Sequence, residues 1–185
     1  MASGLFQRMP PAALLAKTQA MADLLDETIQ TVRRLSTELR PGILDDLGLA
    51  ATIEWQIQEF QMRSGITAKL IETPEEVGLD TEAATTAFRI FQEILTNIIR
   101  HAQATEVQVT LQETPQWLVL EVKDNGRGIT NSQIESPKSI GLLGIRERAR
   151  LQAGEVHFQG RQNQGTTVTV RLPLMVYPHQ TGGSS

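Results

Sequence analysis

The chain has 185 residues, of which 40% are hydrophobic, enough for one compact core and a modest additional element. Its formal net charge of −4 provides no basic field for a phosphate backbone, so direct binding to nucleic acid is not expected. It contains no cysteine, which excludes disulfides, thiol catalysis and cysteine zinc sites, and its three histidines lack metal-ligand spacing.

The first predicted element is a long amphipathic helix over residues 12–40. Pro41 ends it, because proline lacks an amide donor and disfavours the helical conformation in the preceding residue. An isolated amphipathic helix cannot bury its stripe, so we expect partner helices and self-association through this seam; packing on its own domain is the alternative. The seam has alternating steps of four and three residues, typical of a coiled coil or bundle: Leu14, Thr18, Met21, Leu25, Thr28, Val32, Leu35 and Leu39.

Beyond this helix, the sequence predicts a domain over residues 49–176. Three of its strands alternate apolar and polar residues, as in a sheet with one face covered by helices. We therefore predict an α/β two-layer sandwich, with a mixed sheet and helices on one face. In chain order, the predicted elements are a connector over 41–48, a helix over 49–63, a strand over 66–71, a helix over 80–102, a hairpin of strands over 106–112 and 117–123, a loop over 126–139, a helix over 142–152, strands over 156–159 and 166–174, and a disordered tail over 177–185.

The helix predicted over 80–102 has one chemically distinctive face. A turn of about 100° per residue gathers its polar residues opposite the apolar ones, with Ile90 among the polar residues. A carboxylate, an amide oxygen and two potential cations suit Mg²⁺ and phosphates, although a solvated surface explains the same face. The polar set is Glu93, Asn97, Arg100 and His101, and the apolar set is Phe88, Phe91, Ile94, Leu95, Ile98 and Ile99.

A second motif, Asp124-x-Gly126-x-Gly128, directly follows a predicted strand. Two glycines spaced by one residue let the backbone approach a ligand closely or adopt positive φ. An aspartate at the strand end can accept a hydrogen bond from an exocyclic amine. A turn capped by aspartate or asparagine is the alternative explanation.

Two further motifs lie later in the chain. Gly141-Leu142-Leu143-Gly144 opens a predicted helix, whose free amides and dipole favour phosphate. Gly165-Thr166 begins the last strand, where β-propensity alone accounts for the threonine. No Walker A motif occurs, and the 126–128 glycine pair lacks the third glycine of a dinucleotide fold, so both common nucleotide folds are disfavoured.

In order and spacing, the four motifs resemble the nucleotide boxes of the GHKL ATPase superfamily, the Bergerat fold shared by histidine kinases, gyrase B and MutL. The segments LRPGILDDLGL, EILTNIIRHAQA and GLLGIRERARLQAG resemble sensor histidine kinases that pair with helix-turn-helix response regulators of the NarL/DegU type. The resemblance covers roughly residues 14–173.

The resemblance implies a role for each motif in binding ATP and Mg²⁺. Asn97 would ligate Mg²⁺, with Glu93 orienting or polarising groups near it. Residues 130–140 would form a short lid. The phosphates would be held by Arg100, His101, Gly141, Leu142, Leu143 and Gly144. The adenine amino group would donate to Asp124, and the adenine pocket would be lined by Gly126, Gly128 and Ile129. Thr166 would support the base through water.

The resemblance also makes the helix over 12–40 the second helix of a dimerisation and phosphotransfer bundle. The first helix, with its phosphoacceptor histidine, is absent, since His101, His157 and His179 lack a neighbouring carboxylate on a bundle helix. We therefore expect a fragment of a larger kinase that binds and slowly hydrolyses ATP, homodimerises through the bundle in the full-length protein, and serves a helix-turn-helix response regulator.

Two other classes of ATP-binding protein are alternatives. A nucleotide-binding interaction module of the anti-sigma or serine-kinase type would not need the bundle helix. A DNA-topology or mismatch-repair ATPase would require a transducer domain after the nucleotide domain. No apolar run reaches the roughly 18 to 20 residues of a membrane span, so we expect a cytoplasmic chain, attached to a membrane only through missing parts of its parent.

Overall fold

The structure, a computed structural model, describes residues 42–75, 77–137 and 139–174. The predicted seam helix over 12–40 and the predicted tail over 177–185 lie outside the described residues. Within the described ranges, no helix has the length and apolar character needed to cross a membrane.

The described chain folds as a five-stranded mixed sheet with helices packed on one face. The strand order is β1-β2-β3-β5-β4; β1 pairs in parallel with β2, and every other pairing is antiparallel. The predicted α/β two-layer architecture is confirmed. The elements are α1 (Gly42–Ser64), β1 (Thr67–Glu72), α2 (Thr81–Asn97), a π-helical turn (Ile98–Ala102), β2 (Glu106–Glu113), β3 (Trp117–Asp124), α3 (Asn131–Ile134), α4 (Ile140–Leu151), β4 (Glu155–Gly160) and β5 (Thr166–Pro173).

The core lies between the sheet and the helices. Alternate residues of the central strands are buried, and they align in register across the sheet, as in the row Val109, Val122 and Val168. Phe88 and Phe91 of α2 are completely buried against this face. Each such side chain contributes about 1.5–3 kcal/mol through removal of its apolar surface from water. The period-two pattern of the strands therefore fixes which face the helices cover.

The first helix differs from the predicted connector over 41–48. The chain is already helical from Gly42, and Gly48 interrupts the helix with φ 75° and ψ 178°. The Thr52 hydroxyl donates to the Gly48 carbonyl at 2.6 Å, and Leu44 and Leu49 are both buried in the core. A glycine that adopts positive φ changes the helix direction while apolar residues on both sides stay packed. Part of the predicted connector thus belongs to the domain.

The predicted helix over 80–102 is confirmed except in its last turn. Asp80 caps it by accepting from the Ala83 amide at 2.7 Å. The final turn has π-helical hydrogen bonding, which holds more residues per turn than an α-helix, so residues there lag behind 100° steps. Ile99, predicted on the apolar face, is 55% exposed, whereas Ile90, predicted among the polar residues, is buried.

The remaining elements agree with the predicted ones within two residues, apart from α3. This short helix lies inside the predicted loop over 126–139. Thr130 and Gln133 form a reciprocal capping box at its start, which satisfies two backbone amides. A four-residue helix has no apolar periodicity, so the sequence pattern could not reveal it.

Candidate functional site

A cavity of about 460 Å³ opens beside the end of β3. Its walls come from α2, the π turn, β3, α4, β4, β5 and the chain between β3 and α4. The volume lies within the roughly 300–1,000 Å³ of small-molecule sites. The sequence-predicted residues that line it are Glu93, Asn97, Arg100, His101, Asp124, Gly128, Ile129, Gly141, Leu142 and Thr166.

Asp124 is the buried ionisable group of this cavity. It ends β3, is 5% exposed, and accepts a hydrogen bond from the Gly126 amide at 2.8 Å. Burial raises the pKa of Asp124, and hydrogen bonds from the backbone of Gly126 and from the backbone and hydroxyl of Thr166 partly offset this. These donors orient the carboxylate, which can accept a further hydrogen bond from a ligand in the cavity.

The glycines around Asp124 are required by close backbone packing. A Cβ on Gly126 would collide with the carbonyl of Ala102, and Gly126 does not line the cavity. Gly128 has φ 77°, and a Cβ there would collide with the carbonyl of Arg161. The first glycine of the motif thus lets the turn pack on the π turn, whereas the second both lines the cavity and packs on the chain after β4.

Asn125 lies inside this motif but serves the fold. Its Oδ1 accepts from the amides of Thr105 and Glu106 at 2.9 and 3.0 Å, and its Nδ2 donates to the Thr105 hydroxyl at 2.9 Å. These bonds tie the end of β3 to the start of β2. They hold in place the turn from which Asp124 faces the cavity.

A second polar group lies where α4 begins. The Asn97 amide donates to Glu93 Oε1 at 3.5 Å, and a Cβ on Gly141 would collide with that same oxygen. Ser139 makes no side-chain cap, so no side chain of this N-cap competes for the first amides of α4. Arg100 and His101 line the same cavity. Free helix amides and basic side chains together favour an anionic group here.

Glu93 and Asn97 supply two oxygen ligands of the kind that Mg²⁺ accepts. Among the described residues, no cluster of three or more His, Cys, Asp or Glu side chains is placed to hold a metal ion. Mg²⁺ in proteins commonly uses one or two side-chain ligands and completes its shell with phosphates and water. The residues present therefore fit Mg²⁺ bound jointly with a phosphorylated ligand, and do not fit a metal held by protein alone.

Three predicted residues, Gly126, Leu143 and Gly144, lie away from the lining, and several lining residues were not predicted. Leu143 is 51% exposed and Gly144 adjoins Arg148, so the cavity touches α4 at residues 140–142 and at Ile145. Phe158 could have been found, because it alternates with Val156 on the apolar face of β4. The unpredicted lining residues are Ile94, Ile98, Ala102, Val122, Arg127, Gln133, Ser139, Ile140, Ile145, Phe158 and Val168.

Residues 82–176, just over half of the chain, match the family model described as histidine kinase-, DNA gyrase B- and HSP90-like ATPase. The chain belongs to this ATPase family. The four motifs found in the sequence lie on four separate elements of this domain. Here α2, the end of β3, the start of α4 and the start of β5 each contribute lining residues to one cavity.

Solved histidine kinase structures share the fold of this ATPase domain. A histidine kinase domain from the Erythrobacter litoralis EL346 blue-light activated histidine kinase aligns with TM-score 0.64 and 21% identity, covering 86% of this chain and 85% of that one. A longer structure of that protein aligns with TM-score 0.63 and 21% identity over 82% of this chain, which spans only 50% of it. Acinetobacter baumannii histidine kinase AdeS aligns with TM-score 0.56 and 13% identity, covering 90% of this chain and 86% of that one.

Proposed function

We propose that this chain is the ATP-binding catalytic part of a sensor histidine kinase. In this proposal it binds ATP with Mg²⁺ and donates the γ-phosphoryl group to a histidine outside this sequence, for relay to a helix-turn-helix response regulator in two-component signalling. The observation that carries it is the buried Asp124 carboxylate in the same cavity as the Glu93–Asn97 pair and the start of α4. Membership of the ATPase family supports the choice of ligand.

Asp124 is proposed to recognise adenine. Its carboxylate, oriented by Gly126 and Thr166, accepts from the exocyclic amine of the base. A guanine would present a carbonyl oxygen to the same carboxylate, and the two acceptors would repel each other. Buried polar groups left unpaired discriminate strongly between ligands, so the site should prefer ATP over GTP.

Asn97 and Glu93 are proposed to hold Mg²⁺, and Arg100, His101 and the first amides of α4 to hold the phosphates. When bound, Mg²⁺ neutralises phosphate charge, which together with positioning supplies most of the catalysis of phosphoryl transfer. The chain's own contribution is to orient the triphosphate. Gly141 is central to this, because its missing side chain leaves room beside Glu93 and Asn97.

The acceptor in this proposal is a histidine on a bundle helix. His101 lines the cavity itself, and His157 lies on β4 with its Nε2 3.6 Å from Glu155 Oε1. A histidine on an edge strand is not on a helix that can present it to the nucleotide. We further propose homodimerisation through the bundle helix in a full-length cytosolic or membrane-attached kinase.

Titration of the chain with ATP and Mg²⁺ by calorimetry tests the site. We expect micromolar-range binding that is weakened at least roughly tenfold by Asn97→Ala and by Asp124→Asn, each of which removes one proposed contact. Glu54→Gln, on an exposed position of α1, is the matched control. Absence of binding by the unaltered chain would refute ATP binding, and normal binding by Asp124→Asn would refute the assignment of that residue.

Phosphotransfer is tested separately by adding a histidine-bearing bundle helix with γ-labelled ATP. Phosphohistidine is acid-labile, whereas phosphoserine resists acid. An acid-labile product would support the kinase proposal. An acid-stable product on a protein partner would favour the anti-sigma or serine-kinase type of module instead.

A further inference from the structure

Arg146 of α4 contacts two different parts of the domain at once. Its Nη1 donates to the carbonyl of Ile134 at 3.2 Å, and its Cζ lies 5.2 Å from the centroid of the Phe158 ring. Ile134 ends α3, and Phe158 lies on β4, where it lines the cavity. One guanidinium therefore connects the chain between β3 and α4 to the wall of the cavity.

Further hydrogen bonds of α3 involve Thr130 before it and Ser139 after it. Thr130 and Gln133 form the capping box, and the Ser139 hydroxyl donates to the Gln133 carbonyl at 2.7 Å. The capping box lies within the segment, and the Ser139 bond ties α3 to the N-cap of α4, so Arg146 adds an attachment from the second turn of α4. Gln133 itself lines the cavity, so the position of α3 affects the cavity's shape.

The chemistry of arginine suits this double contact. A planar guanidinium can donate within its plane while its charge lies over an aromatic ring, whereas a lysine ammonium offers neither the plane nor the fork. Among the described residues, no ion pair includes Arg146, in contrast to Arg150 with Glu147 and Arg171 with Glu155. Within the described ranges, the guanidinium contacts the Ile134 carbonyl and the Phe158 ring.

We propose that Arg146 is a positioning residue that holds α3 against the Phe158 wall and thereby sets the cavity for its nucleotide. The inference rests on the proposed ATP binding for its ligand. Its first consequence, the placement of α3, is measurable without any nucleotide.

The test compares Arg146→Lys with Arg148→Lys, the same change two residues along the same helix at an exposed position. The amides of Gln133 and Ile134, which donate to the Thr130 carbonyl, report on α3 by NMR hydrogen exchange in the free protein. We expect faster exchange in Arg146→Lys only. Calorimetry should then show roughly three- to tenfold weaker binding of ATP with Mg²⁺. This is the loss of affinity expected when the contacts of the guanidinium with the Phe158 ring and the Ile134 carbonyl are lost.

Phe158→Leu is a second variant, which removes the ring and leaves the arginine. It should weaken ATP binding and speed exchange in α3 as well, because Arg146 loses one anchor. Equal exchange in Arg146→Lys and Arg148→Lys would overturn the proposal. So would faster exchange with unchanged ATP affinity, since α3 would then not set the cavity. If the unaltered chain binds no ATP, the proposed function fails, while faster exchange in Arg146→Lys alone still supports the positioning of α3.

Discussion

The backbone of Gly141 lies directly against the carboxylate of Glu93. A Cβ at position 141 would collide with Glu93 Oε1 and would lie 3.3 Å from Asn97 Oδ1. The start of α4 thereby comes into contact with the pair proposed to hold Mg²⁺. The absence of a side chain at this position is what permits the approach.

Gly141→Ala should leave the domain folded and weaken the binding of ATP with Mg²⁺. The new methyl group displaces the flexible end of Glu93 rather than backbone, so the structural cost is small, but the carboxylate leaves its place beside Asn97. We expect roughly tenfold weaker binding, about 1.4 kcal/mol, measured by calorimetry alongside thermal unfolding.

Gly144→Ala is the control for this prediction. Its Cβ would lie 3.1 Å from Arg148 Nη1, the far end of a flexible side chain, within α4. Alanine in a helix is favoured over glycine by up to about 1 kcal/mol, so this variant should be slightly more stable and bind ATP normally. Equal binding by both alanine variants would contradict the role given to Gly141.

Gly165→Ala should strongly destabilise the fold. Gly165 has φ 82°, and a Cβ there would collide with the Asp124 carbonyl, which is backbone and cannot move cheaply. Positive φ alone costs about 1–2 kcal/mol for an L-residue, and the collision adds to it. We expect the free energy of unfolding in urea to fall by more than about 2 kcal/mol.

Gly78→Ala provides the comparison for Gly165→Ala. Its Cβ would lie 3.4 Å from Glu113 Oε1, an ordinary contact with a flexible side chain. Its effect should stay within about 0.5 kcal/mol. A Gly165→Ala protein as stable as Gly78→Ala would show that the turn beside Asp124 relaxes freely.

The raised pKa of Asp124 predicts a specific dependence of stability on pH. Folding raises this pKa above its ordinary value of 3.8, so the folded protein retains the proton to higher pH than the unfolded chain. Stability is therefore lost as pH rises from the ordinary value through the folded pKa, and the full penalty applies above it. Asp124→Asn, which does not titrate, should lack this loss in urea unfolding measured from about pH 4 to pH 7.

The same titration affects the ligand with the opposite sign. As pH falls through the folded pKa, the carboxyl takes up a proton and no longer presents two acceptor oxygens to the adenine amine. ATP affinity should then decrease more steeply at acid pH in the unaltered chain than in Asp124→Asn, which lacks this carboxyl group. Parallel pH profiles of ATP affinity for the two proteins would show that Asp124 does not recognise the base.

Asn125→Ala should lower the free energy of unfolding, because it loosens the turn that follows β3. It leaves the amides of Thr105 and Glu106 without their acceptor, at a cost of about 1–2 kcal/mol. Asn125→Asp keeps the accepting oxygen and should lose less. ATP binding at saturating concentration should survive in both, since Asn125 does not line the cavity; loss of binding in a folded Asn125→Asp protein would contradict a purely structural role.

The sequence determined the fold and the order of its elements. Strand alternation in β2, β3 and β5 and the periodicity of α2 depend on local geometry, so they predicted a two-layer sandwich with helices on one face of the sheet. The four polar and glycine-rich motifs likewise predicted which elements supply the site. Even within these, the 100° pattern misplaced Ile90, which is buried, and Ile99, which is 55% exposed, because burial depends on what packs against each side of the helix.

Which residues contact one another across elements is visible only in the folded domain. That Gly126 packs on Ala102 and not on the cavity, that Gly141 covers Glu93, and that Arg146 reaches both Ile134 and Phe158 follow from how distant elements pack. A local pattern fixes the direction of a side chain on its own helix or strand. Distances between elements depend on the complete packing of the core, which no local pattern contains.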